Sequence, residues 1–207
     1  MIKNIQMFLY GITCIAISYG LYMIYKHCNT WLLKSDNSIR LQHSGIMVLY
    51  PHTSLKDTMG LFTMRYKYKI NFYFLGKNKH YYGKWYSPIF RFLCPNMIPT
   101  DSSEVNTEYI TNKLNSEKGF IVIASEGTRE YVKYWKKGFY YISLNTSLPI
   151  VFNFACYKNH ITYHSEPIYA KDHTIEEVME IARQFYGQYD LTYGRNKDKI
   201  GDIDVLN

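Results

Sequence analysis

Short, nearly unbroken apolar runs, separated by stretches long enough for a helix, constrain this chain more than any other feature. They are Ile46–Tyr50 (IMVLY), Ile70–Leu75 (INFYFL), Phe120–Ala124 (FIVIA) and Pro149–Cys156 (PIVFNFAC). A strand with one wet face alternates apolar and polar residues. A continuous run needs both faces covered, as in parallel sheets packed under helices. The spacing therefore predicts an α/β domain with a mixed, mainly parallel sheet flanked by helices. Around these strands the pattern predicts a helix from Thr53 or Ser54 through Leu61 and Met64 to about Tyr68. A short helix over Trp85–Leu93 and a strand over Met97–Thr100 follow. Further helices are predicted over Glu104–Asn115 and Lys137–Leu144, with antiparallel edge strands at Ile161–His164 and Pro167–Tyr169. Thr174–Tyr186 reads as a helix with Thr174 and Glu177 in capping-box spacing. The polar last 20 residues read as a frayed tail.

The amino-terminal segment has a different character. Between Lys3 and Lys26 no residue is charged, and as a helix this run reaches roughly 33 Å, about the thickness of a bilayer's hydrocarbon core. Residues 1–27 are therefore expected to form one N-terminal membrane helix, spanning the bilayer or lying at its interface as an anchor, 28–45 a connector and 46–207 the folded domain. Lys26, Lys34 and Arg40 outweigh Lys3 and the terminal amine, which places the domain on the cytoplasmic side. A chain of 207 residues with 47% hydrophobic and 20% charged residues accommodates one such domain and excludes a disordered polypeptide. Cys14, Cys28, Cys94 and Cys156 are widely spaced without a CxxC pair, which argues against a disulfide scaffold or structural zinc.

The formal net charge of +7 favours anionic partners. Residues 58–100 carry Arg65, Lys67, Lys69, Lys77, Lys79, Lys84 and Arg91 and no Asp or Glu, interleaved with aromatics such as Tyr66, Tyr82 and Trp85. Beside an anchor, this composition points to membrane lipids at an acidic interface rather than to nucleic acid.

Two motifs carry chemistry. Pro51-His52-Thr53-Ser54-Leu55-Lys56-Asp57 follows the IMVLY strand, and functional groups gather beyond the carboxyl ends of strands in open α/β sheets. Asp57 there can hold one nitrogen of His52 and leave the other free as a base. Ser125-Glu126-Gly127-Thr128-Arg129 follows FIVIA. Gly127 permits a tight turn, Thr128 offers a hydroxyl, and Arg129 presents a guanidinium fork suited to phosphate. Glu126 is expected to orient Arg129 or a substrate hydroxyl. His160 and His164 have no ligand-spaced neighbours and are expected to be structural, so no metal site is expected.

In combination, PHTSLKD and EGTR resemble the glycerolipid acyltransferase family, the lysophosphatidic acid acyltransferases and their relatives, which are marked by an HxxxxD block and a downstream EGTR block. INFYFLGK, PIFRFLCPNMIPTD, YWKKGFYYIS and Pro149-Ile150 stand in the order of the family's other blocks, and the resemblance covers about residues 46–160. One departure is clear: Ser102 stands where the family commonly has an arginine after Asp101.

The resemblance implies a glycerol-phosphate acyltransferase-like fold. It further implies a membrane-anchored enzyme of phospholipid biosynthesis, moving a fatty acyl chain from acyl-CoA or acyl carrier protein to a lysophospholipid hydroxyl. His52 would be the general base and Asp57 its orienting partner. Glu126, Gly127, Thr128 and Arg129 would form the acceptor site, with Lys77 or Lys79 supplying the missing arginine's charge. Oxyanion donors are expected among the backbone N–H groups just after His52, and acyl-CoA is a substrate, with no bound cofactor. The alternatives are a CoA-independent transacylase and a non-catalytic basic module binding membranes or nucleic acid.

Overall fold

A computed structural model of the chain describes residues 18–20, 23, 26, 44–58, 60–61, 64–65, 69–78, 82–85, 87–88, 91, 96–100, 107–117 and 119–206. A six-stranded sheet organises them. Its central strand, β1 (Gly45–Leu49), pairs in parallel with β4 (Gly119–Ala124) on one side and β5 (Ile150–Cys156) on the other. Beyond β4 lie β2 (Asn71–Lys77) and then β3 (Met97–Thr100), both parallel. Beyond β5, β6 (Ile161–His164) closes the edge antiparallel. The observed order is β3-β2-β4-β1-β5-β6.

The unbroken apolar runs now have their cause. Ile46 and Val48 of β1 enter a core with residues of three helices: α1 (Thr107–Ser116), α2 (Gly138–Thr146) and α3 (Ile175–Tyr186). Met47 and Leu49 point the other way, into a second core with Leu61, Met64, Phe72 and Val122. All five residues of β1 are buried, because successive side chains enter opposite layers and both layers are dry. The capping box of α3 is complete: Thr174 N–H donates to Glu177 Oε2 at 2.7 Å, and Glu177 N–H donates to Thr174 Oγ1 at 3.3 Å.

One expectation holds in part and two are corrected. The helix expected from Thr53 or Ser54 starts where expected, but as a 3₁₀ turn at Leu55–Thr58, and Gly60, Leu61, Met64 and Arg65 are helical beyond it. Ser54 Oγ accepts the Lys56 N–H, and the Asp57 carboxylate accepts the Thr53 and Ser54 N–H groups, a reciprocal pattern that caps the turn. Pro167–Tyr169 supplies only one bridge, Ile168 to Ile150, since Pro167 has no N–H to extend a ladder and the chain turns into a 3₁₀ helix at Ala170–Asp172. The segment after Tyr186 is not frayed. Gly201 and Val205 are buried, and Val205 bridges to Trp135.

The predicted membrane helix over 1–27 and the connector lie almost wholly outside the described residues; 18–20, 23 and 26 are helical. Among the described residues no helix is long and apolar enough to cross a membrane, so that expectation gains no support from the structure. Of the predicted Trp85–Leu93 helix, Ser87, Pro88 and Arg91 are helical while Trp85 lies in a turn. The start of the predicted Glu104–Asn115 helix, and Asp101 and Ser102, lie outside the described residues.

Candidate active site

Parallel strands bring their carboxyl ends to one edge of the sheet, and Leu49 of β1 lies in register with Ala124 of β4 and Asn153 of β5. The segments leaving those ends therefore meet. His52 follows β1, Glu126 follows β4 and Tyr157 follows β5. The two sequence motifs are joined directly, because the His52 backbone N–H donates to Glu126 Oε2 at 2.7 Å.

Within the first motif the imidazole faces the carboxylate. His52 Nδ1 lies 3.6 Å from Asp57 Oδ2, with the histidine side chain 15% exposed and the aspartate side chain fully covered. That separation is an ion-pair contact rather than a hydrogen bond, and Nδ1 is buried without a hydrogen-bond partner. The Asp57 oxygens are already engaged. Oδ2 accepts the Thr53 and Ser54 N–H groups, each at 2.7 Å. Oδ1 accepts the Tyr157 hydroxyl and lies 3.3 Å from Arg195 Nε. Burial acts to raise the Asp57 carboxyl, but His52, Tyr157, the Ser54 amide and Arg195 together outweigh it and hold it below its ordinary value. Burial beside that negative charge drives the Tyr157 hydroxyl well above its ordinary value, so it stays a donor.

Oxyanion donors were expected among the backbone N–H groups just after His52, and five amides of that segment already have acceptors in the fold. The N–H groups of His52, Thr53, Ser54, Lys56 and Asp57 all have acceptors inside the segment or in Glu126.

Of the two roles expected for Glu126, the orienting of Arg129 is corrected. It is 2% exposed, and its oxygens accept the His52 and Gly201 N–H groups rather than meeting Arg129. Burial raises its carboxyl, and the two amides offset only part of that. Arg129 is exposed at the next turn. Thr128 Oγ1 accepts the Glu130 N–H at 3.3 Å. Gly127 has φ +66°, and a Cβ there would lie 2.7 Å from Lys136 Cε and 2.9 Å from its Nζ. A second cation thus lies against the turn that carries Arg129. Lys77 ends β2 at the same edge of the sheet.

No protein-family model, curated protein or solved structure matches the chain.

Sequence reasoning did not assign Lys136, Tyr157 or Arg195. Tyr157 had one available signal, its place just past the carboxyl end of a predicted strand. Arg195 had none, being one cation in a polar segment. His164 ends β6, its Nδ1 3.1 Å from the Asn153 amide across the β5–β6 ladder. Among the described residues no group of three or more His, Cys, Asp or Glu is placed to hold a metal ion.

Proposed function

We propose that the chain is a membrane-associated O-acyltransferase that moves a fatty acyl chain from acyl-CoA, or acyl carrier protein, to a hydroxyl of a lysophospholipid. The observation that carries this reading is the joining of HxxxxD and EGTR at adjacent strand ends through the His52 N–H and Glu126. A base and a cation-bearing turn then belong to one rigid edge of the sheet.

In this mechanism His52 Nε2, the ring nitrogen away from Asp57, takes the proton of the acceptor hydroxyl. The oxygen attacks the thioester carbonyl, the carbon–sulfur bond breaks, and the imidazolium returns its proton to the leaving thiolate. Asp57, fully covered and ionised, stabilises the imidazolium while it lasts. Arg129 and Lys136 offer positive charge to an acceptor phosphate. Residues 1–27 would anchor the chain beside its lipid substrates, with the domain facing the cytoplasm.

The test is acyl-CoA consumption by the detergent-purified full chain, with lysophosphatidic acid, glycerol 3-phosphate or a neutral lysolipid as acceptor. His52→Ala is expected to lower kcat by about a thousandfold, within the range of a lost general base. Arg129→Ala is expected to raise KM for phosphate-bearing acceptors and leave neutral ones unaffected. A folded wild type that releases no CoA with any acceptor sinks the acyl-CoA reading. Chain exchange between phospholipids without acyl-CoA would assign the same pair to a transacylase.

A further inference from the structure

The segment after α3 returns to the His52–Asp57 pair and places a buried cation on it. The Arg195 side chain is 1% exposed, with Nε 3.3 Å from Asp57 Oδ1. Its Cζ lies 4.2 Å from the Tyr157 ring centroid and 5.2 Å from that of Phe154, and Nη2 donates to the Ala155 carbonyl. Nε and Nη1 are buried without a hydrogen-bond partner. Among the described residues, Asp57 is the carboxylate in ion-pair contact with this guanidinium. A charge this deeply covered requires a counter-charge.

The approach is built into the backbone. Gly194 has φ +72°, and a Cβ there would lie 2.9 Å from Tyr157 Cδ2. Only glycine lets the chain pass this close to the ring and deliver Arg195 behind it.

We propose that Arg195 is a positioning residue of the His52–Asp57 pair, neutralising part of the Asp57 charge so that the imidazole releases its proton more readily. The inference uses the acyltransferase reading only for its kinetic arm. The charged and titratable groups around His52 are Asp57 at Nδ1, Glu126 on the backbone N–H, and Tyr157 and Arg195 on the far Asp57 oxygen. With Arg195 removed, the whole Asp57 charge faces the imidazolium and the base form appears only at higher pH.

The direct measurement is an NMR titration of the His52 ring in the full chain. Arg195→Gln is expected to raise the titration midpoint by about one pH unit, the lower end of what one nearby charge does. Arg195→Lys, which keeps the charge, is expected to return the midpoint most of the way to wild type. Gly194→Ala is expected to move it in the same direction as Arg195→Gln. Arg195→Met, whose unbranched chain still fills the space between the Phe154 and Tyr157 rings, serves if Arg195→Gln does not fold. The kinetic arm predicts that the acidic limb of kcat/KM moves up by the same amount.

A wild-type midpoint in the folded Gln or Met variant overturns the proposal, as does a Lys variant that titrates like Gln. If the midpoint moves but the wild type transfers no acyl group, the positioning role stands and the acyltransferase reading falls. If acyl transfer is found and the midpoint is fixed, only the role of Arg195 falls.

Discussion

A single carboxylate, Asp57, concentrates the chemistry of the site. It receives two backbone amides and a tyrosine hydroxyl, and it faces both a histidine and an arginine. Those donors outweigh burial, so the folded chain protonates Asp57 at lower pH than the unfolded chain does. Its stabilising contribution is thus fully present above the ordinary value of 3.8 and is lost as pH falls through the depressed folded value. Glu126 works in the opposite sense: burial raises its carboxyl, and lowering the pH relieves the penalty. Asp57→Asn leaves the Arg195 charge buried and unpaired and is expected to cost about 3 kcal/mol in urea unfolding at neutral pH. The variant should also lose less stability than wild type as the pH falls below 3.8. Equal acid sensitivity in the two proteins would show that Asp57 is not held ionised by its partners. At this scale the sequence exposed the histidine, the aspartate and the EGTR turn, since fixed spacing after a strand is a local signal. It did not expose Tyr157 or Arg195, whose meeting with Asp57 depends on a fold bringing together positions about a hundred residues apart or more.

At the scale of elements, legibility followed burial. Ile46–Tyr50, Phe120–Ala124 and Pro149–Cys156 were visible as strands because two dry faces leave only Asn153 to interrupt the apolar runs. Thr174–Tyr186 was visible because its cap and its apolar stripe agree, with Val178, Met179, Ala182, Phe185 and Tyr186 all buried. The helix expected after Thr53 starts where Ser54 caps it, its hydroxyl accepting the Lys56 N–H, but it opens as a 3₁₀ turn. Asp57 stands in that turn, and its carboxylate accepts the Thr53 and Ser54 N–H groups. Pro167–Tyr169 looked like a strand and became one bridge and a turn. The cap of α3 offers a clean measurement away from the site. Thr174→Ala removes the acceptor of the Glu177 amide and is expected to destabilise the chain by about 1 kcal/mol. Calorimetry should register a lower Tm, while the His52 titration stays where it is. A shifted titration would mean that α3 is coupled to the site through more than its packing.

The whole molecule is closed by the segment that looked least structured. After α3, Tyr189 stacks on Phe154 and Tyr163 at 4.9 and 4.7 Å, and Arg195 enters beneath Tyr157. Gly201 accepts from the Tyr50 hydroxyl at 2.7 Å and donates to Glu126, and Val205 bridges to Trp135. A polar composition hides this, because one contact every few residues leaves no period to read. The consequence is that Glu126 is shared: one oxygen holds the His52 amide and the other holds Gly201. Removing residues 197–207 would unpair Glu126 from Gly201 and expose the faces that Val205 covers. The buried Val205 side chain is lost, with the bonds of Gly201 to Tyr50 and Glu126, of the Trp135 N–H to Asp204 and of the Asp202 N–H to Val132, and a loss of about 6 kcal/mol is expected in urea unfolding. The more specific reporter is hydrogen exchange at the His52 amide. Its acceptor would gain freedom to turn toward water, so exchange there should accelerate more than at Ile110 or Leu114, which pack in α1 at another part of the core. Uniform acceleration across all three amides would reduce the segment to general packing. An unchanged His52 amide would show that Glu126 holds the base without the segment's help.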